Sequence, residues 1–533
     1  MDNRARAASV PGMGVEGVPA LHTAEAARPW WERRWFLVAV VLATMVPLIY
    51  PQIPPLVDLP GHIGRYRVEL DLHHSPSLQR YFGFHWAIMG NLGLDLLIVP
   101  LAPIIGLEPA VKLIILLIPP ATAIGLLWVA REIHGRVPPT ALFALPFIYG
   151  FPFLFGFANY TLSAALSFLA LGLWLRLGRL ERIRLRSGLF VPISLIVFLA
   201  HGYGWGLLGL MCFSTEAVRL HDRGRGWFRA VAAAALYSAT MALPLLVTLA
   251  WPGERHDIAN GWFDWGAKWI GAYSTLRDRW GPFDVSSVEL ACVIFLFAII
   301  SPKLTLSRGL ALTGLLLGTA FLVLPRYVLD SAYSDARLLP YLFALALLSI
   351  RVREPADARL GQFLAVLGLA FFAARIGGTT ASFAIAANDQ QARLHAIDVV
   401  PRGARVVVLY GLPTAEPWAL PRDSHLGGLV IDRREGFSND QWITANLNML
   451  ELRYRDADGF ALNPSQIVRP NGEHDAIYRT IDEALKLIPR DKFDYIWLID
   501  VPPFDYRLLG GLTPVWSDPR TTLYRVQPGA GEH

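Results

Sequence analysis

The chain has 533 residues, of which 54% are hydrophobic and only 17% charged, with a mean hydropathy of +0.39. Soluble domains carry about 25% charged residues, so this balance excludes an ordinary water-soluble protein and points to a polytopic membrane protein. The net charge of +5 does not indicate nucleic acid, because the arginines sit in short blocks between apolar runs, as the positive-inside rule arranges them. The two cysteines, Cys212 and Cys292, lie within apolar runs and argue against a disulfide framework or a zinc site.

Residues 1–29, rich in Ala, Gly and Pro, read as a disordered cytoplasmic tail. "RRWFLVAVVLATMVPLIY" (33–50) resembles a signal sequence, but no small-residue cleavage site follows and more spans come after, so it reads as an uncleaved first helix. Arg28, Arg33 and Arg34 put its start in the cytoplasm, and residues 52–90 then form a first external loop. A span needs about 20 mainly apolar residues. Candidates are 34–51, 91–107, 110–130, 139–157, 159–177, 189–218, 230–251, 284–300, 310–325, 338–350 and 361–382, about eleven helices in all. Loops 219–229, 301–309 and 351–359 are basic and fall inside, whereas 252–283 and 326–337 fall outside. The most basic loop, "RLGRLERIRLRSG" (176–188), falls outside on simple counting. It moves inside if 189–218 is a hairpin turning at "HGYGWG" and 139–177 crosses once with a re-entrant piece, and the orientation rule favours that version.

After residue 384 the composition changes. Segments 403–411, 427–432, 493–500 and 521–528 read as strands, and 388–400 and 474–489 have helical spacing. The expected architecture is therefore a helical membrane domain over 30–384 and an extracytoplasmic α/β domain over 385–533.

The first external loop, "PQIPPLVDLPGHIGRYRVELDLHHSP" and its continuation, is too polar to span and too long for a turn. Two short helices lying along the membrane surface are expected there, with Tyr81, Phe82, Phe84 and Trp86 at the interface. Asp58, behind the stiff "QIPPLV", is either a reactive carboxylate at the helix mouth or the N-cap of a following helix. If that helix starts near Pro60, His62 and Tyr66 share a face with Arg65 adjacent, a set able to bind phosphate and move a proton. Glu69, Asp71, His73 and His74 match no dedicated ligand spacing, so no metal ligand is assigned; the cofactor is left unknown, with a divalent metal open.

An acidic residue just past the first helix, many further spans and a C-terminal α/β domain resemble the GT-C superfamily of membrane glycosyltransferases. The resemblance rests on "VDLPGHIGR", "NLGLDLL" (91–97) and "LPFIYGFPFLFGFANYTLS" (145–163). It implies transfer of a sugar from a polyprenyl-phosphate-linked donor to a glycan, lipid or protein acceptor at the extracytoplasmic face of a bacterial inner membrane, with Asp58 as general base. No Asp-x-Asp pair supports a metal-dependent version. Such chemistry also needs cations for the departing phosphate, and "PRYVLDSAYSDARLLP" (325–340) offers Arg326 and Arg337 with Asp330 and Asp335 between them. Asp95 and His201 interrupt apolar runs and are further substrate-binding candidates, each with a structural alternative as a helix-end or interhelical partner. Asn159 and Tyr160 could line the same cavity, Lys268 in the Trp-rich loop could touch phosphate, and His425 could fold back over the site. Two other readings stay open: a transporter or flippase of a lipid-linked glycan, which requires a polar path through mid-membrane, and a non-catalytic protein of envelope polysaccharide assembly.

Overall fold

The computed structural model describes residues 28–249, 259–328, 331–353, 358–413, 417–443, 449–473 and 476–527. The expected tail up to residue 27, the start of loop 252–283, Asp330 and residues 474–475 lie outside the described residues. Five helices among these residues are each long and apolar enough to cross a membrane: Leu107–His134, Ala158–Arg179, Ile183–Ala200, Gly281–Ile300 and a run from Ala358 to Val399. The bent pair Trp227–Met241 and Leu243–Leu249 makes six, and several apolar helices of 10–17 residues accompany them. Length and composition alone thus support fewer crossings than the eleven expected.

Charge sorts the bundle into two ends. At one end Glu132 pairs with Arg176 and Arg179 at 3.6 and 2.9 Å, Glu181 with Arg223, and Asp222 with Arg308. Strand Leu304–Leu306 pairs there with Ile350–Val352. The basic loop 176–188 therefore shares an end with 219–229 and 301–309. The reason is the hairpin: Arg186 makes a bidentate pair with Glu216 at 2.9 and 3.0 Å, and each lies 15 residues from His201, so the helices on either side of His201 run antiparallel. His201 itself is extended, at φ −170°.

Two expected segments behave differently. Gly93–Ile105 does not connect the two ends: Asp95 near its start bonds the first-loop residue Arg65, and Glu108, just beyond its end, bonds Arg433 of the C-terminal unit at 2.7 Å. The return crossing is made by Leu107–His134, about 42 Å long at helical rise. The stretch expected to be re-entrant instead climbs from the basic end, where the Thr140 hydroxyl donates to the Ile350 carbonyl, to the opposite end, where the Phe155 carbonyl accepts the Asp58 amide.

At that opposite end the first loop forms the helices Leu59–Asp71 and Pro76–Tyr81 and a strand, Phe82–Phe84. The two helices are as expected, but they do not lie open on a membrane surface. Tyr81 and Phe82 are buried and share one core with Val407, Leu409, Phe437 and Ile496 of the C-terminal unit, and Phe82–Phe84 pairs with Leu450–Leu452. That unit is a mixed sheet in the spatial order Arg479–Thr480, Ile467–Arg469, Arg405–Gly411, Tyr495–Ile499, Thr521–Val526, Leu512–Ser517, with Phe437–Ser438 beside the start of Arg405–Gly411. "RVVVLYG" is buried along nearly its whole length, as a central strand covered on both faces requires. Thr480 and Glu483 close a capping box that starts helix Ile481–Leu487.

"GGLVID", read as a strand, is the helix Gly428–Arg434. A short apolar run cannot distinguish a buried strand from a buried helix, and here close packing decides. A Cβ on Gly64 would stand 2.5 Å from the Gly428 carbonyl oxygen, and one on Gly428 would stand 2.3 Å from that of Pro60. The two helices thus cross backbone to backbone, with Arg67 bonding Asp432 at 2.8 Å beside the crossing. The expected domain boundary at 385 falls inside one continuous helix, Ala358–Leu394, whose apolar part ends before its helical phase does. Gly64→Ala is predicted to cost about 1–3 kcal/mol and to loosen the C-terminal unit, read as a lower melting temperature and faster proteolysis between residues 400 and 450; an unchanged melt would contradict the crossing.

Candidate active site

Asp58 occupies the N-cap position of Leu59–Asp71, yet its side chain caps nothing. Its amide donates to Phe155 O at 2.9 Å, and its carbonyl accepts from the His62 amide. Its carboxylate is left for other work, which settles the cap alternative on geometry. The wall against it is Gly156, at φ +101°, where a Cβ would stand 2.9 Å from the Asp58 nitrogen and 3.2 Å from its Cβ. Only glycine fits both that conformation and that approach, so the "GFPFLFGF" stretch seats the acid.

Burial pushes the Asp58 carboxyl up to about 8, against the pull of the Arg337 guanidinium. His425 Nε2 lies 3.9 Å from its Oδ1. Trp442 lies 4.3 Å from the His425 ring and 5.3 Å from His62, and the His62 ring stacks on Tyr66 at 6.2 Å, as their spacing on one helix face requires. Nδ1 of His62 is buried without a hydrogen-bond partner, and burial with the Arg65 charge holds that imidazole down at about 3, neutral at ordinary pH. Arg65 is committed elsewhere: it bonds Asp95 at 2.5 Å, lies 3.9 Å from Glu69, and packs over Tyr66. Asn159 caps the Leu94 amide at 2.6 Å and reaches Asp95 at 3.4 Å. Arg65, Asp95 and Asn159 thus pin the loop helix to the bundle.

Arg337 is held differently. Of the other buried arginines, 65, 186, 375, 393 and 422 each pair with a carboxylate (Asp95, Glu216, Asp284, Asp423 with Asp500, and Asp278), while Arg469 bonds the Leu412 and Pro413 carbonyls. Arg337, equally buried, has no carboxylate within 4 Å among the described residues. Its guanidinium bonds Ser331 Oγ at 2.8 Å and the Ala332 carbonyl at 3.0 Å, and lies over the rings of Phe157, Tyr203 and Tyr160 at 4.2, 5.2 and 5.7 Å. Its Nε, like those of Arg186, Arg375 and Arg422, has no partner. Nη1 faces His201 Nε2 at 3.3 Å, while His201 Nδ1 faces the Tyr203 amide at 3.1 Å. Whichever ring nitrogen carries the hydrogen, one donor is set against another. An anionic oxygen within reach of both Arg337 Nη1 and the His201 ring would relieve that contact.

The other expected residues stand nearby in structural roles. Asp335 accepts from Lys268 Nζ at 2.9 Å and from the Ala336 amide at 2.8 Å, and Lys268 is tied down further by the Phe321 and Leu324 carbonyls. Arg326 stacks on Tyr333 at 4.7 Å, and the Tyr160 hydroxyl donates to the Arg337 carbonyl at 2.8 Å. The structure therefore brings Asp58, His62, Arg337, His201, Tyr160 and His425 to one end, and commits Arg65, Asp95, Asp335 and Lys268 to holding it. Phe157, Tyr203, Ser331, Gly156 and Trp442 escaped the sequence reading; the glycine pair in "GFPFLFGF" was the one local signal for them. A cavity of about 250 Å³ lined by Tyr50, Gln390, His395 and Arg433 is separate from this cluster.

No protein-family model matches the chain, and no curated protein matches it by sequence. Among solved structures it is similar to ArnT from Cupriavidus metallidurans bound to undecaprenyl phosphate (12% identity, TM-score 0.47) and to the same protein in the apo state (13%, 0.47). Each alignment covers 92% of this chain and 97% of the other. It is also similar to the arabinofuranosyltransferase AftD from Mycobacteria, at 15% identity and a TM-score of 0.43, over 93% of this chain and 42% of that one. At these values the likeness carries no substrate or residue assignment to this chain.

The raised carboxyl fixes a pH dependence. An acid whose folded value lies above its unfolded one, near 4, binds its proton more tightly when folded, so it costs stability increasingly as pH rises from about 4 to about 8. Asp58→Asn removes that cost. The variant is predicted to melt higher than the wild type, with a gap that widens across this window in thermal melts; a gap that is flat or reversed would contradict the buried setting of Asp58.

Proposed function

We propose that the chain is an integral membrane glycosyltransferase of GT-C type, transferring a sugar from a polyprenyl-phosphate-linked donor to an acceptor at the end of the bundle that carries Asp58. The observation that carries this reading is a buried carboxylate that caps nothing and feels the charge of a buried guanidinium that has no carboxylate within 4 Å among the described residues. Asp58 takes the proton of the acceptor hydroxyl as that oxygen bonds to the anomeric carbon. The bond from that carbon to the phosphate oxygen breaks, and its electron pair stays with the phosphate, where Arg337 and the N–H of His201 meet the developing charge. Hydrocarbon for the prenyl tail is available along the apolar helices. The positive-inside rule assigns the basic end to the cytoplasm, which puts the site, the first loop and the C-terminal unit on the extracytoplasmic side of a bacterial inner membrane.

A transporter reading finds less support. Between the two ends, the buried hydroxyls Ser163, Ser167 and Thr215 are turned onto main-chain carbonyls of their own or neighbouring helices, an arrangement that packs helices rather than lining a path.

The test uses purified protein in nanodiscs with a panel of polyprenyl-phosphate-linked pentoses and hexoses, following the released polyprenyl phosphate by mass spectrometry. Asp58→Asn is predicted to lower release by at least about 100-fold while the protein stays folded. Full activity in that variant would remove the assignment. Arg337→Ala is predicted to weaken polyprenyl phosphate binding roughly 10- to 100-fold, the worth of a charged hydrogen bond; unchanged affinity would contradict its role.

A further inference from the structure

The Trp-rich loop takes no part in the chemistry above, yet it holds an amphipathic helix, Trp265–Tyr273. Its start is encoded locally, because the Asp264 side chain accepts the Ala267 amide at 3.0 Å. One face of this helix is fastened to the bundle. Lys268 is buried, and its Nζ donates to the Phe321 and Leu324 carbonyls at 2.7 and 2.8 Å and to Asp335 at 2.9 Å. Gly271 lies on the same side, where a Cβ would stand 3.4 Å from Leu339 Cδ1.

The other face is bare. Trp265 and Trp269, one helical turn apart, are 60% and 71% exposed, with Ile270 exposed beside them. Trp262 and Phe263 extend the exposed aromatic surface toward the N-terminal side. Lys268 also fixes the level at which this surface stands. Helix Arg308–Val323 begins at the basic end, where Arg308 pairs with Asp222, and Phe321 and Leu324 lie at its opposite end, next to the exposed Leu322 and Val323. Tyr273 stacks on Trp418 at 6.1 Å, and Trp418 bonds Asp284 in the first turn of the span Gly281–Ile300. The bare face therefore stands where two apolar helices of the bundle end, continuous with their exposed apolar side chains.

We propose that this face is seated in the bilayer leaflet at the end that carries Asp58, with Trp265 and Trp269 at the boundary between headgroups and hydrocarbon. An indole suits that boundary, because its ring favours hydrocarbon while its N–H needs a wet partner. The one lysine of the helix is turned inward onto carbonyls and Asp335, so the outward face buries no charge in lipid. The first loop was expected to supply the aromatic belt, but Tyr81 and Phe82 are spent on the core of the C-terminal unit; Trp265 and Trp269 take that place. Seating the helix in lipid also brings the leaflet to the edge of the candidate site, because Lys268 holds Asp335, which caps the turn that carries Arg337. The inference does not rest on the glycosyltransferase reading.

The test is nitroxide accessibility in nanodiscs, in a Cys212→Ala, Cys292→Ala background whose folding is checked by thermal melts. Labels are placed at Trp265→Cys and Trp269→Cys, with Tyr506→Cys, 74% exposed on the C-terminal unit, as the reference in water, and Val293→Cys, 59% exposed on the span, as the reference in lipid. Oxygen concentrates in hydrocarbon and a nickel chelate in water. The ratio of oxygen to nickel collisions at 265 and 269 is expected to exceed that at 506 by at least about 3-fold, and to fall below that at 293, as a depth of about 5–10 Å requires. A ratio equal to that at 506 puts the face in water and overturns the inference. Labels that meet neither reagent put protein on the face, a second copy of the chain included, and overturn it as well. Should the labelled chains not fold, the wild type is compared with the Trp265→Phe, Trp269→Phe double variant in nanodiscs of brominated lipid. The emission lost in the variant is expected to be strongly quenched by the bromine; equal emission in brominated and plain lipid overturns the proposal.

Discussion

A guanidinium buried without a carboxylate is the constraint on which the site depends. Removing such a charge from water costs several kcal/mol unless an anion compensates it. Ring faces, one hydroxyl and one carbonyl around Arg337 recover only part of that. Its contact with His201 sets donor against donor. Elsewhere buried arginines are paired with acids, as at Arg186 with Glu216 and Arg375 with Asp284. The acid that feels the charge of Arg337, Asp58, is itself buried and caps nothing.

Holding this arrangement takes three elements that are far apart in sequence. The glycine crossing of Gly64 with Gly428 brings the C-terminal unit onto the loop helix closely enough for His425 to face Asp58. The Arg65–Asp95 pair anchors that helix to the bundle, and Gly156 leaves room for Asp58 to sit against the broken helices before Ala158–Arg179. The first loop and the C-terminal unit share a hydrophobic core, so the sheet is part of the site's scaffold and not a separate appendage.

Much of this was legible from residue type and position. A carboxylate behind "QIPP" at a helix mouth, an arginine opening an apolar helix, and a histidine breaking one stand out because ionisable groups are costly there. That 176–188 shares an end with 219–229 and 301–309 followed from its arginines, and the hairpin this required is observed at His201. What could not be read locally was decided by distant contacts. "GGLVID" is a helix because Gly64 and Pro60, more than 360 residues earlier, press on its backbone. Gly93–Ile105 has the composition of a span but is held at one end by Arg65 and Arg433, neither of which is near it in sequence. Lys268 read as a phosphate contact and Asp335 as a substrate-binding residue, and they turn out to neutralise each other. Charge counting along a chain cannot distinguish a paired ion from an unpaired one; only the fold does.

The central claim is that the unbalanced charge at Arg337 is completed by the phosphate of a lipid carrier. A cryo-EM structure of the wild-type protein in nanodiscs containing a polyprenyl phosphate tests this most directly. The account predicts phosphate density within hydrogen-bonding reach of Arg337 and His201, on the side facing Asp58, with the prenyl tail leaving along the apolar helices. Phosphate density at the basic end, or none near Arg337 at saturating lipid, would contradict it.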